Sequence, residues 1–153
     1  MIDIKKSTLP SRLRILVMPM TSTEAVSVVI MIRAGSRYET RSINGIAHFL
    51  EHMFFKGGQR YPTPRSVAEA IDAVGGVFNA FTDDEFVGYF VKVEKEKIAV
   101  AFDVLSDMLL NARFDPDGLE RERGVILEEY NMYQDTPSRK IWDIFERLDF
   151  WIR

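Results

Sequence analysis

Both histidines of this 153-residue chain fall within one short stretch, Gly45-Ile46-Ala47-His48-Phe49-Leu50-Glu51-His52-Met53. On a helix, residues four apart stand above one another, so His48 and His52 can offer two imidazoles to one ion, with Glu51 beside them. The fold must therefore supply a helix whose ligand-bearing stripe lines a cleft. The chain has no cysteine, so a metal here must be held by imidazole and carboxylate. Two imidazoles with one carboxylate favour zinc, one ion per chain, and a neighbouring glutamate is a natural base for metal-assisted hydrolysis.

The bulk properties allow such a centre and exclude several others. A 46% hydrophobic content over this length suffices for one domain with a sizeable core. The net charge of −3, with Lys and Arg scattered, gives no electrostatic footprint for nucleic acid or an anionic membrane surface. No segment reaches membrane-spanning length, and the N-terminus lacks the marks of a signal or transit peptide, so a cytoplasmic location is expected.

Hydrophobic periodicity then orders the elements. Alternation over Leu13–Val17 and Val26–Ile32 predicts two adjacent antiparallel strands. Ser42 or Asn44 is expected to cap the histidine helix, which runs to about Lys56 before Gly57-Gly58. Ile46, Phe49, Leu50, Met53 and Phe54 cover one broad side of it, leaving His48, Glu51, His52 and Phe55 on the other. A capping box from Ser66 to Glu69 opens a short helix to Val74. A hairpin of Val77–Phe81 and Phe86–Val93 follows around the turn Thr82–Glu85, whose acids read as a solvated turn. The aromatics Phe78, Phe81, Phe86 and Phe90 read as core. Ile98, Phe102, Leu105 and Leu109 mark an amphipathic helix from about Glu96 to Asn111, and Ile141, Ile144, Phe145 and Leu148 a last one. The expected class is α+β, a mixed, mostly antiparallel sheet with helices packed on one face.

Between those two helices, Asp115 as N-cap with Pro116 behind it opens a helix from Asp117 to about Gln134. Ile126, Tyr130 and Tyr133 fall within roughly 40° of Leu119 on the helical wheel and with it define the expected buried stripe. Glu122 and Glu129 lie on the edge of that stripe, whereas Glu128 points away. Acids against an apolar stripe are costly unless paired, hydrogen-bonded or bound to a cation. Glu129 is thus a candidate third ligand. Glu122 is either an acid that hydrogen-bonds a ligand histidine from behind or half of a buried ion pair with Arg37 or Arg123.

H-x-x-E-H is an inverzincin signature. Together with Gly35-Ser36-Arg37, Phe55-Lys56-Gly57, Gly75-Gly76, Asn79-Ala80-Phe81-Thr82 and Glu122–Glu129, it makes the chain resemble the pitrilysin, insulin-degrading enzyme and mitochondrial processing peptidase group, in its bacterial processing-peptidase branch. The resemblance implies zinc held by His48, His52 and Glu129, Glu51 as general base, and Glu122 as a further family acid. It also implies that extended peptides bind as an added strand beside Asn79, Ala80 and Phe81, through backbone pairing at a sheet edge.

Members of that group continue well beyond the counterpart of Arg153 and carry a second, similar half. By this comparison residues 1–153 form an N-terminal zinc-peptidase domain that is incomplete relative to the family. The expected partners are a peptide substrate and either a second copy of the chain or a complementary second-half subunit. The alternative function is a non-catalytic or partner-dependent subunit of a two-part peptidase.

Overall fold

The computed structural model describes residues 3–138, 140–141 and 144–145. Its elements run β1 (Lys5–Thr8), β2 (Arg14–Val17), β3 (Ala25–Ile32), α1 (Ile46–Phe54), α2 (Pro64–Asp72), β4 (Val77–Thr82), β5 (Val87–Glu94), α3 (Ile98–Leu110) and α4 (Pro116–Gln134). Every strand pair is antiparallel, and the class is α+β as expected.

The strands form two sheets, β1-β2 and β3-β5-β4. This corrects the expected pairing of the second and third strands. β2 takes its ladder from β1, with Lys6 opposite Leu16, while β3 lies along β5, with Val28 opposite Val91. β1 escaped the sequence reading because Lys5-Lys6-Ser7-Thr8 carries no apolar alternation, and all four residues are exposed.

β5 sits at the centre because both of its edges are paired and its Val87, Tyr89, Val91 and Val93 all point into the core. Val67 and Ile71 of α2, and Ala101, Val104, Leu105 and Met108 of α3, close over that face. Each such side chain, fully buried, contributes roughly 1.5–3 kcal/mol for the larger aliphatics. On the opposite sheet face Val29, Met31, Val77 and Phe81 remain exposed, so the described helices pack on one face. Gly88 faces that outer side, and the ring of Phe81 lies where a Cβ at Gly88 would be, 2.3 Å from the ring edge.

Helix boundaries fall close to expectation, but several caps and stripes do not. α1 begins after Gly45, which takes a left-handed conformation (φ 87°), and the expected caps Ser42 and Asn44 make no side-chain cap bond. Instead the Glu39 carboxylate accepts the N–H groups of Gly45 (2.6 Å) and Ala47 (2.8 Å), placing a negative charge at the positive end of the helix. α2 is capped by Thr63, in a reciprocal box with Ser66, rather than by Ser66 with Glu69. Pro64 at the first position fixes that boundary, since its missing N–H is one the helix leaves unused.

On α3 the buried stripe is Ala101, Val104, Leu105 and Met108; Phe102, expected inside, is exposed. The small Ala101 lets the helix approach the sheet closely, and a large ring is turned outward. α4 starts as expected, with Asp115 accepting from Gly118 N–H at 2.8 Å. Its buried face, however, centres on Gly118 and Glu122, with Leu119, Ile126 and Glu129 partly buried, while Tyr130 and Tyr133 are exposed. The helix is turned so that its acids, not its tyrosines, face α1. Helical residues continue over the described part of 137–145; Leu148 and the end of the predicted last helix lie outside the described residues.

Candidate metal centre

α1 and α4 run antiparallel to each other, and their facing side chains meet in a ladder. His48 lies near Glu129 (3.9 Å), His52 reaches both Glu129 (3.4 Å) and Glu122 (2.9 Å), and Lys56 pairs with Glu122. The i, i+4, i+8 spacing of His48, His52 and Lys56 meets Glu129 and Glu122, which are seven apart. The expected ion-pair partners of Glu122 are engaged elsewhere: Arg37 with Glu85 and Arg123 with Glu120. Glu122 turns one oxygen to His52 and the other to Lys56, so its cation partner is neither of the two arginines expected.

One donor atom from each of His48, His52 and Glu129 lies within 4.8 Å of the others. The two Nε2 atoms are 3.3 Å apart, and His52 Nε2 is 3.4 Å from Glu129 Oε2. Four donors at zinc–nitrogen distance on a tetrahedron are about 3.4 Å apart, so the set fits one zinc-sized ion with little rearrangement. Glu128, its neighbour, is exposed on the far side of α4, as the helical wheel predicts.

An ionised carboxylate can only accept, so His52 Nδ1 is the donor in its contact with Glu122, and in the neutral imidazole Nε2 then keeps the lone pair. Glu122 is almost fully buried. Burial by itself pushes its carboxyl up, but the bonds from Lys56 and His52 outweigh it and hold the group below the usual range.

Glu51, on the same helix, accepts a hydrogen bond from the hydroxyl of Thr82 at the end of β4. Behind it, burial first and the Glu51 charge second push the phenol of Tyr89 far above its ordinary value, so this core tyrosine stays neutral. A cleft lined by Ser36, Glu39, Asn44, Gly45, His48, Thr82, Asp83 and Asp84 opens beside His48.

The acidic turn is less free than expected. Ser36 donates to Asp84, Arg37 pairs with Glu85, and Arg37 N–H donates to the Asp84 carbonyl at 3.0 Å. A Cβ at Gly35 would stand 2.2 Å from the Asp83 carbonyl oxygen, so glycine is needed for this approach. The hairpin turn is thereby fastened to the segment entering α1.

β4 is an edge strand among the described residues, as the strand-addition expectation requires. Asn79 and Phe81 are exposed on the outer face and Ala80 is turned inward; Asn79 Oδ1 accepts from the Ala80 N–H at 2.9 Å. Neither Lys56 nor Thr82 was singled out from the sequence as a site residue. Lys56 could have been found by extending the four-residue spacing of the histidines by one turn, and Thr82 by continuing the inward alternation of Phe78 and Ala80.

The model of the insulinase family, Peptidase family M16, matches residues 14–147. The chain belongs to that family. It is 40% identical over 147 residues to an uncharacterized zinc protease of Bacillus subtilis, covering 96% of this chain and 36% of the relative. It is also 40% identical over 141 residues to the mitochondrial-processing peptidase subunit beta of Dictyostelium discoideum, covering 92% of this chain and 30% of that one. The crystal structure of a protease from Helicobacter pylori superposes with a TM-score of 0.86 at 25% identity, over 93% of this chain and 34% of that one. The chain thus spans about a third of the length of the M16 relatives it matches. No helix among the described residues is long and apolar enough to cross a membrane.

Proposed function

We propose that the chain carries the zinc centre of a metalloendopeptidase that hydrolyses extended peptides or unfolded segments. The observation that carries this reading is the convergence of His48, His52 and Glu129 donors within 4.8 Å, with Glu51 on the helix that bears both histidines. The zinc-protease names of relatives support the choice of metal.

Zinc held by His48, His52 and Glu129 would supply Lewis acidity at an open fourth position. Glu51 is the general base: it takes the proton of the attacking water and returns it to the leaving amine. Thr82 occupies Oε2 of Glu51, which leaves Oε1 for the travelling proton. Glu122 fixes the ring of His52 from behind, which turns Nε2 toward His48 and Glu129, the residues that would hold the ion with it. The substrate lies as an added strand on the edge of β4 that no described strand pairs, beside Asn79, Ala80 and Phe81, where backbone pairing gives affinity with little sequence selectivity. Thr82 ends that same strand, so the base and the substrate track are joined by one side chain.

A second reading follows from the length of the relatives, one of which is named as a subunit. In it the same centre cleaves only when a second copy or a complementary chain covers the cleft. Glu51→Gln tests the chemistry in either case. The variant should retain one zinc per chain while cleavage of an extended peptide falls by about 10²–10⁴-fold. Unchanged cleavage would remove Glu51 from the mechanism.

A further inference from the structure

Lys56 belongs to neither the ligand set nor the base, yet it closes the ladder between α1 and α4. Its ammonium meets Glu122 Oε2 while Glu122 Oε1 faces His52 Nδ1 at 2.9 Å. The Glu122 side chain is 5% exposed and that of Lys56 33%, so the pair is formed at the edge of the interior with Lys56 on the water side. A carboxylate with one oxygen pinned by a cation has little freedom to rotate, and its second oxygen is then aimed by the first.

We propose that Lys56 is a positioning residue of the metal centre: it pins Glu122 so that His52 holds its hydrogen on Nδ1 and presents Nε2 to the metal. The inference rests on the zinc-site reading for its consequence, but not for the contact itself. Three steps connect it. Lys56 fixes the plane of the Glu122 carboxylate; Glu122 fixes the tautomer and ring angle of His52; His52 is thereby aligned with His48 and Glu129 before any ion arrives. A lysine at this place also offsets the charge of a buried acid that the histidine alone, when neutral, would leave uncompensated.

The test uses the 153-residue chain with Lys56→Met and Lys56→Arg, and two readouts. The first is ring-nitrogen NMR of the metal-free protein, which reports which nitrogen of His52 carries hydrogen. The second is zinc affinity by competition with a chromophoric chelator. Lys56→Met should shift His52 from a single Nδ1–H form to a tautomer mixture and weaken zinc by about 10–100-fold. Lys56→Arg, which keeps a cation in reach of Glu122, should restore both. A purely structural lysine would lower the melting temperature of Lys56→Met without moving the His52 tautomer, and that result overturns the proposal. If Lys56→Met fails to fold, Lys56→Ala removes the contact with less bulk at the helix end, and a wild-type tautomer and affinity in that variant count equally against it. Failure of the wild-type chain to take up zinc would refute the metal reading alone, since the tautomer shift between wild type and variant is still read without metal.

Discussion

The hydroxyl of Thr82 donates to Glu51 Oε2, joining the last residue of an edge strand to the middle of the histidine helix. Under the proposed chemistry this bond holds the base in place, and Thr82→Val removes it with almost no change of shape. A hydrogen bond to a charged group is worth about 1.5–3 kcal/mol, so kcat for an extended peptide should fall about tenfold or more, with KM within about twofold. Thr82→Ser should retain most of the rate. Equal kcat in the wild type and the valine variant would show that Glu51 is positioned by other contacts.

Asp107 supports the loop that leaves the histidine helix. It is buried on α3, and its Oδ2 accepts the N–H groups of Arg60 (2.9 Å) and Tyr61 (3.0 Å), while Oδ1 accepts from Asn111 Nδ2 (3.1 Å). Burial pushes the carboxyl up, but these bonds prevail and hold it below its ordinary value. A depressed carboxyl stabilises the fold above its unfolded pKa, and that contribution is lost as pH falls through the folded one. Urea midpoints should therefore drop below about pH 4 in the wild type, and less steeply in Asp107→Asn. At neutral pH Asp107→Asn should cost about 1–3 kcal/mol, because an amide cannot accept all of these bonds. Parallel pH profiles for the two proteins would assign the acid sensitivity to other carboxylates.

The site was more legible in the sequence than the sheet. His48, Glu51 and His52 share a short helical stretch, and Glu129 could be told from Glu128 by its angle on the wheel; local periodicity carries that information. The turn of α4 as a whole was read less well. Tyr130 and Tyr133 fall beside Leu119 and Ile126 on the helical wheel and so read as the buried stripe, whereas the packing on α1 is set by the pairing of Glu122 and Glu129 with His52, His48 and Lys56. Sheet order was hidden for a different reason. β2 and β3 both alternate, but which neighbours they take depends on β1 and β5, and β1 is a polar strand that periodicity does not mark. The cap of α1 was misplaced because its capping group is remote: Glu39 reaches the start of α1 from six residues before Gly45, outside the window in which a local cap is sought.

Zinc titration of the wild-type chain beside Glu128→Gln and Glu129→Gln, followed calorimetrically, tests the proposed centre most directly. These two variants change adjacent residues by the same single atom, so differences in folding or net charge cancel between them. The account predicts one zinc per chain in the wild type and in Glu128→Gln, with binding in Glu129→Gln weakened by at least about tenfold. Equal binding by the two variants, or no zinc uptake by the wild type, would contradict it.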